Sequence, residues 1–281
     1  MTSGQPSIML RRYSMLIPIL LCFFGALRSS PQPTKERVDA TDASLIIYVE
    51  IAVGDSLGHA CGVYFQHDGS LYFVTAGHVL AELINRPRIH GRFLLCSTGS
   101  RERDGSYDRF SLNLSEIDFR NDCRNWSDID IAVVRLMRPT GEYSRGVKLL
   151  ERSGSPLVAI DDTGIVSSDS ADWPCHVQLW AFPTMQDSTM PSRKDVVRIN
   201  AQVLAIRRHS ATAIMSYRGV NGFSGAPIFA ERENGSSRKS LLFAIHTSTI
   251  EWDNPADTAC TEMVSVGTCA DEIFRRIAAS W

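Results

Sequence analysis

Neither sign of charge dominates this 281-residue chain: 29 Lys and Arg stand against 31 Asp and Glu, a formal net charge of −2. A nucleic-acid binder needs a concentrated basic face. The one short basic run is Arg207-Arg208-His209, with no Trp or Tyr cluster interleaved with basic residues, so no nucleic-acid partner is expected. Long apolar runs are also scarce. The stretch Met15–Leu27 is interrupted by Pro18 and as a helix would rise only about 20 Å, short of a hydrocarbon core of roughly 30 Å. No CxxC pair occurs, which removes the usual ligand spacing of a structural zinc site. Internal repeats and low-complexity tracts are absent too. What remains, 44% hydrophobic and 21% charged residues, is the composition of an ordinary globular protein with ample length for a packed core.

The amino terminus has its own character. Arg11 and Arg12 precede the apolar run and a Ser/Pro-rich stretch follows it, the order of a signal peptide. Residues 1–30 are therefore expected to act as a signal peptide in a secreted protein. No good small-x-small cleavage site precedes Pro31, so a retained signal anchor is the alternative, and the only route to a membrane. Residues 31–44 (PQPTKERVDATDAS) are polar and Pro-bearing, a linker ahead of a folded part that starts near Leu45. Of seven cysteines, Cys22 lies in the leader, leaving Cys61, Cys96, Cys123, Cys175, Cys260 and Cys269. An even count suits disulfides in an oxidising compartment, with Cys260 and Cys269 the tempting local pair. Asn-x-Ser sequons at Asn113, Asn125 and Asn234 fit a secreted glycoprotein.

From Leu45 onward, short apolar runs of strand length recur between turn signals: LIIYVEIAV, CGVYFQ, LYFVTA, RFLLC, DIAVVRL, HVQLWAF, ATAIMS, APIFA and LLFAIHT. This pattern predicts an all-β chain. Asp68-Gly69 between two such runs supplies the positive φ angles of a tight hairpin. A polar stretch from Arg138 to Pro156, carrying Pro139, Gly141, Gly146 and Gly154, marks a crossing between two halves, residues 45–150 and 151–281. Each half has enough strands for a small barrel. Ala270–Trp281 reads as a terminal helix, with Asp271 and Glu272 at its N-terminal end and Ile273, Phe274, Ile277 and Trp281 sharing a face.

A serine hydroxyl becomes a useful nucleophile when a neutral imidazole takes its proton and a carboxylate fixes the imidazole tautomer. Ser224 lies in Gly219-Val-Asn-Gly-Phe-Ser-Gly-Ala-Pro, where glycines allow a tight turn that points amides at one spot. The N–H groups of Gly222 and Ser224 are then candidate oxyanion donors. His78 follows the run Val74-Thr-Ala-Gly, at a strand end. Asp130 opens Asp-Ile-Ala-Val-Val-Arg-Leu, with Asp128 its competitor two residues upstream.

TAGHV, DIAVVRL and NGFSGAP, in the order His, Asp, Ser, resemble the three motifs of the chymotrypsin-like (trypsin-fold) serine proteases. The motif residues stand 52 and 94 positions apart, and the resemblance extends over about residues 45–281. It implies two six-stranded antiparallel β-barrels with a C-terminal helix. It also implies His78 as general base, Asp130 as its orienting carboxylate, Ser224 as nucleophile and the Gly222 and Ser224 amides as oxyanion hole. Asp130 is preferred to Asp128 because DIAVVRL, not DIDIA, matches the family pattern. Such a serine endopeptidase acts on protein or peptide substrates through an acyl-enzyme and needs no metal or organic cofactor.

The chain departs from the digestive members. Cys61 stands where they carry a cysteine ahead of the histidine, but Val79 replaces its usual partner, and no Ile-Val-Gly-Gly start follows a basic cleavage site. Competence without further activation, once the leader is removed, is the expectation. In these respects the chain is more similar to glutamyl endopeptidases and related bacterial and viral enzymes. Phe243-Ala-Ile-His-Thr-Ser resembles the segment with which those enzymes line the pocket for P1, the residue before the scissile bond. His246 is thereby a candidate donor to a Glu or Gln at P1, more strongly when protonated, and Arg218 a candidate charge partner. Ala244 in place of the family's glycine, and Gly219 and Val220 where a Thr is usual, are departures. Two other readings stay open: a catalytically inactive protein of the same fold acting as a binding module, and an esterase using the same machinery.

Overall fold

The computed structural model describes residues 45–53, 56–84, 91–97, 109–151, 159–168, 173–182, 196–234, 237–253 and 261–281. The leader and the linker lie outside them. Eight strands of the first half, β1 (Ile47–Val53), β2 (Ser56–His67), β3 (Ser70–Ala76), β4 (Gly91–Ser97), β5 (Arg109–Asn113), β6 (Cys123–Trp126), β7 (Ile131–Met137) and β8 (Val147–Glu151), form one antiparallel sheet. Its order is β6-β7-β3-β2-β1-β4-β5-β8. Six strands of the second half, β9 (His176–Ala181), β10 (Val197–Arg207), β11 (Thr212–Met215), β12 (Pro227–Asn234), β13 (Ser237–Asp253) and β14 (Thr261–Cys269), close into a barrel.

The second half is thus the expected six-stranded closed barrel. The first half corrects that expectation: eight strands are present, and the sheet curls into a half-barrel without a closing ladder. After β7 the chain reverses at Gly141 (φ +83°) and returns beside β7 for one bridge, Met137 with Tyr143. The Ser144 N–H donates to the Leu136 carbonyl at 2.9 Å. The chain then diverges to pair with β5 as β8, so the end of β7 touches the segment ahead of β8 at one bridge and not along a ladder.

The continuous apolar runs have a simple cause. Residues Ile47, Val49, Tyr64, Leu71, Phe73, Ala132 and Val134 face the core of the first half. Their neighbours Ile46, Tyr48, Val63, Phe65, Tyr72, Val74, Ile131 and Val133 face a second core shared with the second half. With both faces of these strands covered, period-two alternation gives way to unbroken hydrophobicity. The hairpin between β2 and β3 forms as expected, with Asp68 at φ +46° and Gly69 at φ +74°.

Helix α1 (Gly77–Ile84) follows β3, and helix α2 (Ala270–Ser280) ends the chain. Although α2 belongs in sequence to the second half, it packs on strands of both halves. Ile273 and Ile277 are buried, the Trp281 ring sits 5.0 Å from Tyr72 and 4.6 Å from the Arg124 guanidinium, and its indole N–H donates to the Asn121 carbonyl at 2.9 Å.

Among the described residues there is no disulfide. Cys61 and Cys123 are buried thiols, and Cys175 is exposed. Cys61 faces the shared core and Cys123 the core of the first half, on opposite sides of the sheet, which keeps them apart. The Cys260–Cys269 pairing falls on Cys260, outside the described residues. Neither described helix is long and apolar enough to cross a membrane.

Candidate active site

Antiparallel pairing of β3 with β7 sets Ala76 opposite Ile131, so the residues that follow the one and precede the other are neighbours despite 52 positions of separation. Asp130, at the mouth of β7, adopts φ +50°, which turns its carboxylate and carbonyl toward the start of α1. Its carbonyl accepts the Gly77 N–H at 2.7 Å. One carboxylate oxygen accepts the His78 backbone N–H at 2.8 Å, and the other lies 2.9 Å from His78 Nδ1. A carboxylate only accepts, so Nδ1 carries the ring hydrogen and Nε2 is left as an acceptor. The Ser224 hydroxyl donates to that Nε2 across 2.8 Å.

The hydrogen bond to Asp130, helped by its charge and opposed by partial burial, raises the His78 pKa above its ordinary 6.5. Gly77 is required by space: a Cβ there would stand 2.8 Å from the Asp130 carbonyl carbon and 2.9 Å from both the Asp130 and the Asn125 Oδ1 atoms. Gly77→Ala is expected to push Asp130 off the imidazole and lower kcat about a hundredfold with folding retained, since misplacement by an ångström has that effect. Steady-state kinetics beside a melting curve checks this.

Asp128 is placed elsewhere. Its carboxylate is held by the Arg276 guanidinium of α2 at 2.6 and 2.9 Å, which lowers its pKa. Thr268 adds a 2.5 Å bond to the carbonyl of Ile129, between the two aspartates. The segment bearing Asp130 is therefore clamped from the second half of the chain.

The loop from Gly219 to Ala226 carries Ser224. It is built from short-range bonds, Phe223 N–H to the Val220 carbonyl (3.1 Å) and Ala226 N–H to the Phe223 carbonyl (2.8 Å), with the Phe223 side chain buried as its anchor. Gly222 (φ +95°) and Gly225 (φ +81°) take left-handed conformations that other residues adopt at a cost. At Gly225 a Cβ would also collide with the Cys61 carbonyl and the Thr75 hydroxyl. Among the described residues nothing accepts from the N–H groups of Gly222 or Ser224, which leaves both donors for an incoming oxygen.

His246, on β13, is only 4% exposed. The Tyr217 hydroxyl meets its Nδ1 at 2.9 Å, and burial, reinforced by the charge of His78, pushes its pKa down to about 4. The expected gain from protonation is thus corrected: a ring sealed between Tyr217 and Phe223 stays neutral at ordinary pH. Where the Tyr217 O–H donates to Nδ1, Nε2 carries the ring hydrogen; where it accepts from Nδ1, Nε2 is an acceptor. Gly219 lies alongside, where a Cβ would be 3.0 Å from Nε2. Arg218 is exposed and, among the described residues, bonds neither to His246 nor to Ser224. Tyr217 was not singled out from the sequence, and its only signal there is a polar aromatic beside the glycine-rich loop. Among the described residues no cluster of three or more His, Cys, Asp or Glu stands together as a metal site requires.

No protein-family model matches the chain, and no curated protein does. Among solved structures, a thermostable serine protease from an extremophilic microorganism is similar at 12% identity and a TM-score of 0.49, over 85% of this chain and 99% of that one. A protease from Arthrobacter nicotinovorans is similar at 13% identity and a TM-score of 0.45, over 86% of this chain and 91% of that one.

Proposed function

We propose that the chain is a secreted serine endopeptidase that cleaves peptide bonds through an acyl-enzyme. The observation that carries this reading is the relay Asp130–His78–Ser224, with contacts of 2.9 and 2.8 Å. Ser224 Oγ attacks the scissile carbonyl while His78 Nε2 takes its proton. Asp130 keeps the imidazole in the tautomer that can do so and stabilises the imidazolium. The carbonyl oxygen, now an oxyanion, is received by the N–H groups of Gly222 and Ser224. His78 then returns the proton to the leaving amine, and water repeats the sequence to release the acid.

A fluorophosphonate probe tests this against the inactive binding module: one label at Ser224 is expected, absent from Ser224→Ala, and no labelling of the folded wild-type chain would overturn the reading. The signal-peptide order of residues 1–30 and the sequons support export. A mature enzyme that needs further cleavage near Leu45 would defeat the expectation of competence without activation.

For specificity, a neutral His246 with Nε2 beside Gly219, protonated there in the tautomer that accepts the Tyr217 O–H at Nδ1, suits a P1 side chain that ends in an acceptor oxygen. Both Gln and Glu qualify, while Arg218, exposed beside Tyr217, favours the charged one. A peptide library randomised at P1 is expected to return Glu and Gln, and enrichment of Lys, Arg or large apolar residues would remove the assignment.

A further inference from the structure

Asp130 acts from a conformation that has to be held. It ends the four-residue turn 127–130 between β6 and β7, and at φ +50° it lies in the left-handed region. That region is costly for a residue with a side chain and persists where the surroundings impose it. Among the described residues, one backbone bond closes the turn from within, the Ile129 N–H to the Trp126 carbonyl at 3.2 Å. Further restraint comes from the second half of the chain. The Asp128 carboxylate takes the Arg276 fork, and the Ile129 carbonyl accepts the Thr268 hydroxyl at 2.5 Å.

The Thr268 contact bears directly on where the Asp130 carboxylate points. The Ile129 carbonyl belongs to the peptide that precedes the Asp130 Cα. The Asp130 carbonyl, which accepts the Gly77 N–H at 2.7 Å, belongs to the peptide that follows it. Peptides are planar, so restraining one on each side restrains the N and C atoms bonded to that Cα, and the chirality of the residue then sets the direction of Cβ. Among the described residues the Thr268 hydroxyl is the only hydrogen-bond partner of the preceding peptide: no other group donates to the Ile129 carbonyl, and the Asp130 N–H donates to none. Thr268 lies on β14 and is buried, so water does not compete for the bond.

We propose that Thr268 is a positioning residue for Asp130: from the second half of the chain its hydroxyl holds the peptide ahead of Asp130, and so keeps the carboxylate on His78 Nδ1. This rests on the serine-protease reading given above. The same carboxylate makes both contacts to His78, 2.8 Å to the backbone N–H and 2.9 Å to Nδ1, so a small rotation of Cβ lengthens both. His78 then responds in its proton affinity. The hydrogen bond to Asp130 is the main cause that raises its pKa, and His246, its other titratable neighbour, is neutral. A looser aspartate therefore lowers the His78 pKa.

The test compares the full chain with Thr268→Val, which keeps the shape without the hydroxyl, with Thr268→Ala, and with Thr268→Ser, which keeps the hydroxyl. For each, kcat and KM on one peptide substrate and the acid midpoint of kcat/KM, which reports the His78 pKa, are read beside a melting curve. Thr268→Val and Thr268→Ala are expected to lose about tenfold in kcat, less than the hundredfold of a full ångström of misplacement. KM should stay within about twofold, as for a loss confined to the transition state, and the acid midpoint should move to lower pH. Thr268→Ser should recover most of kcat and the wild-type midpoint. Wild-type kcat in Thr268→Val or Thr268→Ala would overturn the proposal, and so would a fall in kcat with an unmoved midpoint, an equally large rise in KM, or a Thr268→Ser no better than Thr268→Val. Failure of both Thr268→Val and Thr268→Ala to fold would also overturn it, because it assigns the hydroxyl to stability alone. A wild-type chain that neither labels with fluorophosphonate nor cleaves peptide fails the underlying reading instead.

Discussion

Ser224→Ala is expected to lower kcat on a cleaved peptide by about a millionfold, the scale of losing a nucleophile that acts as a unit with its base. The loss is chemical, because among the described residues the Ser224 hydroxyl has one partner, His78 Nε2 at 2.8 Å. The backbone bonds that place the loop do not involve it: the Cys61 N–H still finds the Ser224 carbonyl and the Gly225 N–H still finds the His246 carbonyl. The variant should therefore fold with a melting temperature within a few degrees of wild type and retain KM-like affinity for peptides. The remaining activity, roughly a thousandfold over water, would come from binding and the two N–H donors acting on a water molecule. Progress curves at high enzyme concentration, with a fluorophosphonate titration of the wild type to count competent sites, measure both. Retention of more than about one per cent of kcat by a homogeneous Ser224→Ala preparation is incompatible with an acyl-enzyme at this residue.

Asp130→Asn is expected to be the next most damaging change, about ten-thousandfold in kcat, with geometry nearly intact. An asparagine can still accept the His78 backbone N–H with its amide oxygen, replacing the 2.8 Å bond of the carboxylate. Its NH2 then faces Nδ1, which must become an acceptor, and the ring hydrogen moves to Nε2. The imidazole would present a donor to Ser224 where the reaction needs a base.

A second signature separates this from misfolding. In the wild type, Asp130 raises the His78 pKa above 6.5, so kcat/KM should fall on the acid side with a midpoint above that value. In Asp130→Asn the cause is gone, and the midpoint of the residual activity should move to lower pH. The effect on stability has the opposite sense. A raised folded-state pKa stabilises the fold in full below the ordinary imidazole value, and this contribution is lost as pH rises through the raised one. With His78 half exposed it is small. A residual activity whose acid midpoint matches wild type would show that Asp130 does not set the proton affinity of His78.

Much of the fold can be read from the chain because its physical causes are local. The runs LIIYVEIAV, LYFVTA and DIAVVRL announce strands covered on both faces, and Asp68-Gly69 announces the turn between β2 and β3. Strands β5 (RFSLN), β6 (CRNW), β8 (VKLLE), β10 (VRINAQVLAIR) and β14 (TEMVSVGTC) gave weaker signals. They are short, or polar on the face that meets solvent, and they become strands only because an adjacent strand supplies hydrogen bonds at the right register. The eight-stranded first sheet was hidden for the same reason.

The sequence by itself determined the residue types and their order: a His after Ala-Gly, an Asp before a core strand, a Ser between glycines, and a helix-forming end. Tertiary structure alone decided which partners they take. It set Asp130 on His78 and gave Asp128 to Arg276. It made His246 neutral by burying it against Tyr217, and left Arg218 in solvent. It also brought the Cys61 sulfur to the Gly222 carbonyl across 161 residues. Charge state and hydrogen-bond partner depend on distance and on exclusion of water, and those exist only once two sheets distant in sequence have packed together.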